Sequence, residues 1–274
     1  MSTLPKLFTR LTLGGKNPIV LKHRITMAPL TRLRASDDGV LPEIAAKYYE
    51  QRATNGGLLI AEATNISLQG HGVLGSPGIF TQAQVNAWKP VVDAVHAKGA
   101  LAHRPSEPPN RARFLFEVLD EILKTTPSSK VGIRYSPYNI AATQRESNPE
   151  ETYSYIFDKL NSYNLAYAHI IEPRGFHYPN DKAPAEGATA YFRNVYKGVI
   201  VTSSGYERDS AVEVVENGTA DAVAIGRYFV SNPDLVKRFE LNAELTPPDR
   251  DTFYGAHLGE KGYTDYPFLG DAMN

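Results

Sequence analysis

The chain has 274 residues, of which 42% are hydrophobic and 22% are charged. This is the composition of an ordinary globular protein, so it excludes wholesale disorder, collagen-like structure and coiled coils. The net charge is −1 and there is no long basic run, which argues against a dedicated binder of nucleic acid or of anionic membranes. The absence of cysteine excludes a disulfide framework, a thiolate metal site and a cysteine nucleophile.

No window of the sequence approaches the roughly 20 apolar residues that a membrane span needs. The first 13 residues lack the apolar core of a signal peptide. We therefore expect a cytoplasmic protein without a membrane segment.

Short apolar runs recur along the chain, each flanked by turn residues. Their length and nearly continuous hydrophobicity predict parallel strands that are covered on both faces. Amphipathic segments between the runs predict helices. The predicted strands are 25–29, 58–62, 100–102, 131–134, 165–171, 198–202 and 220–225, and the predicted helices are 42–55, 82–98, 110–124, 149–163, 207–217 and 233–241.

Strands and helices that alternate at this spacing predict a series of βαβ units. Repeated this often, the series favours a single (β/α)8 barrel over residues 1–274, with a doubly wound parallel sheet as the alternative. A closed barrel has eight strands, and only seven runs are present. The defect lies at about 103–110, where three prolines within five residues can neither continue a strand nor begin a long helix. We therefore expect an incomplete barrel.

A Gly-x-Gly-x-x-Gly pattern occurs at 70–75. A dinucleotide-binding fingerprint needs these glycines at a turn from strand to helix, so that the pyrophosphate meets a helix N-terminus. Here the next predicted helix begins only near Thr81. The pattern is therefore interpreted as a loop.

The ends of the last two predicted strands resemble a phosphate site. Barrel enzymes often bind a phosphate with the loops that follow these strands. Gly205 and Gly226 would let backbone amides approach the phosphate, and Arg227 could donate to its oxygens. Ordinary turn chemistry with a surface arginine explains the same residues equally well, and both interpretations stay open.

Arg134 ends a strand that is predicted to be buried, and a buried arginine needs an anionic or polar partner. A salt bridge to Glu62 or Glu172, also at strand ends, would supply one. The same two carboxylates could form a catalytic pair, although their strands are far apart in order. The histidines show no metal-ligand spacing, so no metal site is expected, and His169, within a strand, is expected to be packed.

Motifs at both ends of the chain carry a family resemblance. They are 24–32 (RITMAPLTR), 48–52 (YYEQR), 60–64 (IAEAT), 78–80 (GIF), 88–96 (WKPVVDAVH), 110–114 (NRARF), 134–137 (RYSP), 226–235 (GRYFVSNPDL), 251–254 (DTFY) and 262–267 (GYTDYP). With these motifs the chain resembles the old yellow enzyme family, FMN-dependent ene-reductases that include 12-oxophytodienoate reductases.

The resemblance implies residues around the flavin ring. Pro29, Leu30 and Thr31 would line the ring, and the Thr31 hydroxyl would hydrogen-bond flavin O4 and tune its potential. Ala63 would contact the ring through its backbone. Arg134 would lie beside the N1–O2 edge, where a cation stabilises the anionic reduced flavin.

The resemblance also implies residues for the phosphate and the substrate. Ser204, Gly205, Gly226 and Arg227 would hold the FMN phosphate. Tyr254 would face the substrate above the flavin, so the catalytic candidates are Thr31 and Tyr254. NADPH or NADH would reduce FMN, and reduced FMN would pass hydride to the β-carbon of a small, enone-like activated alkene.

The chain departs from the family between residues 103 and 110. The family has a glutamine on the third strand, a His and Asn (or His and His) pair after the fourth, and a nearby tyrosine that protonates the substrate. All are missing here, together with the end of the third strand, the fourth strand and the adjoining helices, in all on the order of a hundred residues or more than two βα units of ~30 residues. Val73 stands where many members have an active-site tyrosine, and the spacing of His177 and Asn180 is expected to be a chance match.

The missing pair predicts weak or absent ene-reductase activity, even with FMN bound, because it would stabilise charge on the substrate oxygen. Two alternatives stay open. One is a non-catalytic flavin-binding or interaction derivative. The other is a truncated or mis-spliced product without function.

Overall fold

The structure is a computed structural model that describes residues 4–15, 17–70, 72–103, 113–138, 148–174 and 182–270. Its strands are β1 (Leu11–Thr12), β2 (Val20–Leu21), β3 (Ile25–Met27), β4 (Leu58–Ile60), β5 (Leu101–His103), β6 (Gly132–Tyr135), β7 (Tyr167–Ile171), β8 (Ile200–Ser203) and β9 (Ala222–Ile225). Its α-helices are α1 (Ile44–Arg52), α2 (Gln82–Ala97), α3 (Arg113–Leu123), α4 (Pro149–Leu160), α5 (Ala188–Arg193), α6 (Arg208–Glu216), α7 (Arg227–Ser231) and α8 (Leu235–Leu241). Short 3-10 helices occupy Lys6–Phe8, Ser128–Lys130, Asn161–Tyr163, Arg250–Thr252 and Ala256–Leu258.

All seven predicted strands and all six predicted helices are present, with ends that differ by a few residues. The β1–β2 hairpin and the helices α5 and α7 were not predicted. α5 has six residues and α7 has five, too few for a 3.6-residue periodicity to show in the sequence. Residues 104–112, which contain most of the expected defect, lie outside the described residues.

The chain divides into two compact units that alternate along the sequence. Unit 1 comprises Met1–Arg24 and Ser106–Ala224, and unit 2 comprises Ile25–Pro105 and Ile225–Asn274.

Unit 1 contains a parallel sheet in the order β6–β7–β8–β9. Strands β7, β8 and β9 are buried nearly throughout, as their hydrophobicity predicts, whereas β6 is only partly buried. Aromatic side chains from α4 and α5 pack together beside the sheet, with the rings of Phe157 and Phe192 4.8 Å apart and both side chains fully buried. This packing fixes the strand ends from which the unit 1 candidates project.

Unit 2 contains the parallel strands β3, β4 and β5, with β4 in the middle. Helices α1 and α2 pack against each other in this unit. α2 begins with a capping box, because the Thr81 hydroxyl accepts from the Gln84 amide and the Gln84 side chain accepts from the Thr81 amide. The Trp88 indole then donates to the carbonyl of Gly78 at 3.1 Å, which fastens the helix to the loop before it.

The glycine pattern at 70–75 lies in a loop at all of its described positions, and α2 begins only at Gln82. The rejection of a dinucleotide fingerprint is therefore confirmed. No helix in the described part of the chain is long and apolar enough to cross a membrane.

Candidate functional site

The candidates of unit 2 gather around the backbone segment 28–32, just after β3. The Ala28 amide donates to the carbonyl of Ile225 at 3.0 Å. A Cβ atom placed on Gly226 would lie 3.2 Å from Cδ2 of Leu30, so the glycine permits a close approach. Gly226 has a φ of −102°, and its identity is therefore explained by space and not by a left-handed backbone.

The same segment brings Thr31, Ala63 and Tyr254 near one another. The Arg32 amide donates to Oε2 of Glu62 at 3.2 Å, and the Arg32 carbonyl accepts from the amide of Gly255 at 3.3 Å. Thr31, Ala63 and Tyr254 are adjacent in the chain to Arg32, Glu62 and Gly255, respectively, so these contacts bring the three candidates together. Ala63 and Tyr254 are exposed, and Thr31 is half-buried.

Three buried arginines of unit 2 hold the segment that carries Tyr254. Arg32 donates to the carbonyls of Phe253, Thr252 and Gly262. Arg34 donates to the carbonyls of Gly259, Thr252 and Lys261. Arg52 donates to the carbonyls of Phe229, Tyr48, Val230 and Tyr263. Arg32 and Arg34 thus satisfy carbonyls of an irregular stretch of backbone, and Arg52 joins that stretch at Tyr263 to the helices α1 and α7.

Two stacked tyrosines cover these cations. The rings of Tyr48 and Tyr263 are 4.1 Å apart and nearly parallel. Cζ of Arg52 lies 3.8 Å from the centre of the Tyr48 ring, within the range of a cation–π interaction. Burial lowers the pKa of Arg52 to about 10, which leaves it charged at neutral pH. The sequence motifs contained these residues but did not indicate that they form one cluster.

Glu62 is fully buried beside this cluster. Its carboxylate accepts from the Arg32 amide and from the Tyr49 hydroxyl, the latter at 3.2 Å. Burial raises its pKa from 4.5 to about 7, and the hydrogen bonds and the nearby arginines only partly oppose this shift.

The free energy of unfolding should therefore fall as the pH rises from about 4.5 to about 7, because the folded state holds the Glu62 proton more tightly than the unfolded state. One pKa unit corresponds to about 1.4 kcal/mol, so the full loss is on the order of 3 kcal/mol. We expect Glu62→Gln to remove this component. Urea unfolding of both proteins at pH 5 and pH 8 measures it, and an identical pH dependence in the variant would contradict the shift.

In unit 1, Arg134 lies on β6 opposite His169 of β7. The expectation of a buried Arg134 is wrong, because its side chain is exposed. The ion pairs among the described residues do not include it, and the Glu172 carboxylate instead accepts from the amides of Ala188 and Thr189 at the start of α5. Partial desolvation of the guanidinium by the surrounding protein still lowers the pKa of Arg134 to about 10. Arg134 is thus a cation without an anionic partner in the described part of the chain.

His169 is packed, as predicted. Its side chain is 1% exposed, and Nε2 lies 2.9 Å from the hydroxyl oxygen of Ser203 on β8. Burial lowers its pKa well below the ordinary value, and the charge of Arg134 adds to this, so the imidazole is neutral.

The turn after β8 has an unusual backbone. Ser204 has a φ of +88° and Gly205 a φ of +69°. A left-handed serine costs conformational energy and persists only where its surroundings hold it. Arg174 does so here, since its Nε donates to the Ser204 carbonyl at 2.9 Å and its carbonyl accepts from the Ser204 hydroxyl at 2.6 Å. Sequence reasoning missed Arg174, although its place just after a predicted strand was a usable signal.

The remaining candidates are placed as follows. Arg227 is the first residue of α7 and is half-buried, and Pro29 and Leu30 are half-buried after β3. Val73 is 56% exposed on the loop between β4 and α2. His177 and Asn180 lie outside the described residues.

The sequence model of one protein family matches most of the chain. Residues 6–103 and 106–246 match the NADH:flavin oxidoreductase / NADH oxidase family. The match breaks between residues 103 and 106, inside the segment where the sequence predicts the defect.

Relatives of similar sequence contain residues that this chain lacks. It is 36% identical to putative 12-oxophytodienoate reductase 3 of Oryza sativa subsp. japonica over 345 residues, which cover 91% of this chain and 90% of the relative. It is 34% identical to 12-oxophytodienoate reductase 1 of the same plant over 345 residues, with coverage of 91% and 90%. With 274 residues in all, this chain leaves at least 71 of those 345 positions unmatched.

Solved structures show the fold class. Morphinone reductase is 30% identical with a TM-score of 0.87, and the likeness covers 99% of each chain. The old yellow enzyme from Trypanosoma cruzi is 25% identical with a TM-score of 0.84, covering 98% of this chain and 100% of the other. These enzymes are (β/α)8 barrels, so the barrel prediction is confirmed over the doubly wound sheet, and the shorter chain is an incomplete version.

Both kinds of similarity extend over nearly the whole chain on either side of the break. The chain belongs to the NADH:flavin oxidoreductase / NADH oxidase family, and it is an FMN-dependent oxidoreductase of the old yellow enzyme type.

Proposed function

We propose that this chain binds FMN, accepts hydride from NADPH or NADH, and reduces activated alkenes only weakly. The observation that carries the proposal is the family match that spans 6–103 and 106–246 and breaks between them. The residues expected to hold the flavin lie on both sides of the break. The donors expected to polarise the substrate belong to the segment that is missing.

Two features of the described residues support a bound FMN. Arg134 is an exposed cation without an anionic partner among them, which suits a ring edge that becomes negative on reduction. The left-handed turn at Ser204 and Gly205 follows a parallel strand, where backbone amides commonly bind anions. Neither feature is needed to explain the packing of its own unit.

The roles of the residues follow from their chemistry. Bound FMN would supply a two-electron carrier between nicotinamide and alkene. The Thr31 hydroxyl would donate a hydrogen bond to a ring oxygen, and Arg134 would oppose the negative charge at the other ring edge. Ser204, Gly205, Gly226 and Arg227 would bind the phosphate. Tyr254, which is exposed, would lie beside Thr31 and contact the substrate. The hydrogen bond between the neighbouring residues Gly255 and Arg32 supports this placement.

The substrate is proposed to be a small enone-like molecule. The names of the relatives point to such chemistry, since they include a 12-oxophytodienoate reductase and morphinone reductase. A structure of morphinone reductase contains tetrahydroNAD, so a nicotinamide is a suitable reductant. We propose a cytoplasmic enzyme with no nucleic-acid or membrane partner.

The visible spectrum of the purified protein tests this proposal. We expect a yellow protein that releases FMN on denaturation and is bleached by anaerobic NADPH or NADH. A colourless protein would overturn the proposal. A yellow protein that neither nicotinamide bleaches would refute hydride transfer and leave only flavin binding.

The break in the family match also favours a second candidate, a flavin-binding or interaction protein without catalysis. A truncated or mis-spliced product would give the same break. A soluble, yellow protein that does not turn over would support the non-catalytic flavin-binding protein. An insoluble, colourless protein together with a longer transcript would support the truncated or mis-spliced product.

Loss of Arg227 should weaken FMN binding. A hydrogen bond to a charged group contributes about 1.5–3 kcal/mol, so Arg227→Ala should raise the FMN dissociation constant roughly 10- to 100-fold. Fluorescence titration of the apoprotein measures it. Lys89→Ala, which removes an exposed cation from α2 in the same unit, serves as the control. Unchanged flavin affinity in Arg227→Ala would refute the phosphate role.

A further inference from the structure

Arg174 connects the ends of two neighbouring parallel strands in unit 1. It follows β7 by three residues, and its amide donates to the Glu172 carbonyl at 2.9 Å. The Glu172 amide in turn donates to the carbonyl of Ser203, the last residue of β8. Arg174 therefore lies beside the turn that follows β8.

Two reciprocal hydrogen bonds join Arg174 to this turn. The guanidinium Nε donates to the Ser204 carbonyl at 2.9 Å, and the Ser204 hydroxyl donates to the Arg174 carbonyl at 2.6 Å. Each side chain thus binds the other residue's backbone. Because Ser204 is a left-handed residue other than glycine, these bonds offset the cost of its conformation.

Tyr206 supports the guanidinium from one side. Cζ of Arg174 lies 4.0 Å from the centre of the Tyr206 ring, a cation–π distance. The ring is itself fixed, since its side chain is 7% exposed and its hydroxyl lies 3.1 Å from the hydroxyl of Thr202. The guanidinium is therefore held in one place, although its side chain is exposed.

Among the residues that the structure describes, most of the donor capacity of Arg174 is unused. Of its three guanidinium nitrogens, only Nε hydrogen-bonds within the described part of the chain. The nearby Glu172 carboxylate accepts from two amides of α5 at 3.0 and 2.8 Å and does not pair with Arg174. Two terminal nitrogens in a fixed fork, beside a left-handed turn, form an arrangement that suits a phosphate.

We propose that Arg174 holds the Ser204–Gly205 turn in its left-handed conformation and donates its two terminal nitrogens to the phosphate of FMN. This inference rests on the proposed function, because it requires FMN as the ligand. It adds a positioning and binding residue that lies outside every motif of the family resemblance. The ligand group is the phosphate alone, so the flavin ring should not depend on Arg174.

Riboflavin, which has the same ring without the phosphate, separates the two parts of the ligand. We expect Arg174→Ala to raise the FMN dissociation constant roughly 10- to 100-fold, since a charged hydrogen bond contributes about 1.5–3 kcal/mol. We expect its riboflavin dissociation constant to change less than about 2-fold. Both are measured by quenching of flavin fluorescence on titration with apoprotein.

Arg174→Lys tests whether Arg174 positions the Ser204–Gly205 turn. It is also the milder substitution, so the proposal can still be tested if Arg174→Ala does not fold. It keeps the charge but loses the fork and the Nε bond to Ser204, so its FMN affinity should lie between those of the wild type and Arg174→Ala. Lys124→Ala removes an exposed cation from unit 1 just after α3 and should bind both flavins like the wild type.

The outcomes of these flavin titrations either support or overturn the role of Arg174. Equal losses for FMN and riboflavin, or no loss for either, overturn the role of Arg174 while the proposed function stands. Wild-type affinity for FMN in Arg174→Lys overturns the positioning role. A wild-type protein that binds neither flavin overturns the proposed function and this inference together. A wild-type protein that binds FMN and riboflavin equally overturns this inference, because the phosphate then adds no affinity, while FMN binding itself stands.

Discussion

Alkene reduction by this chain should be at least about 10²-fold slower than by 12-oxophytodienoate reductase 1 of Oryza sativa measured under the same conditions. Negative charge develops on the substrate oxygen as hydride reaches the β-carbon, and positioned donors stabilise it. Loss of one such donor typically costs about 10²–10³ in rate. The resemblance places these donors in the segment that is missing at about 103–110, where the family match also breaks.

The alkene step can be isolated from flavin reduction. FMN on both proteins is first reduced with dithionite without oxygen, and reoxidation by cyclohexenone is followed by stopped flow. Reduction of the flavin by NADPH or NADH in a separate experiment shows whether the cofactor site works. Alkene reduction at a rate close to that of the relative would contradict the prediction. It would direct attention to His177 and Asn180, and His177→Ala would then be the next variant.

Substitution of Arg52 by alanine should remove a large part of the free energy of unfolding, on the order of a third. The side chain is 1% exposed and donates to four backbone carbonyls, three of them at 2.7 Å. Removal of a buried charged partner typically costs about 3–5 kcal/mol, against a net stability of about 5–15 kcal/mol for a folded protein. The carbonyls of Tyr48, Phe229, Val230 and Tyr263 would be left without this donor.

Thermal and urea unfolding measure this effect. Arg52→Lys should be intermediate, because one ammonium group cannot reach all four carbonyls. Lys89→Ala, which removes an exposed cation of the same unit, should change the free energy of unfolding by less than about 0.5 kcal/mol. An Arg52→Ala protein with the stability of the Lys89→Ala control would show that the cluster is not needed for folding.

The sequence predicted the elements well because the strands are covered on both faces. Continuous apolar runs such as Leu58–Ile60 and Ala222–Ile225 follow from that environment, and α2 shows its apolar stripe and its capping box directly. The helices α5 and α7 were missed because each spans fewer than two turns. Local periodicity carries no signal at that length.

Pairing of side chains distant in sequence was beyond sequence reasoning. A salt bridge from Arg134 to Glu62 or Glu172 was one interpretation of the sequence. The Glu172 carboxylate instead accepts from the amides of α5, an element that the sequence did not predict. The cluster of Arg32, Arg34 and Arg52 depends on a returning segment about 200 residues later in the chain. Such contacts are set by the path of the backbone and not by local composition.

The sequence by itself determined the alternation of strands and helices, the family motifs and the site of the missing segment, because each is local and leaves a pattern of adjacent residues. The tertiary structure alone decided which cations are paired. Arg52 is buried against carbonyls. In the described part of the chain, Arg134 has no anionic partner, and Arg174 packs on Tyr206 with two guanidinium nitrogens that hydrogen-bond to none of its residues. The physical reason is that the energy of a charge depends on its solvation and its neighbours in space, which an amino-acid sequence does not specify locally.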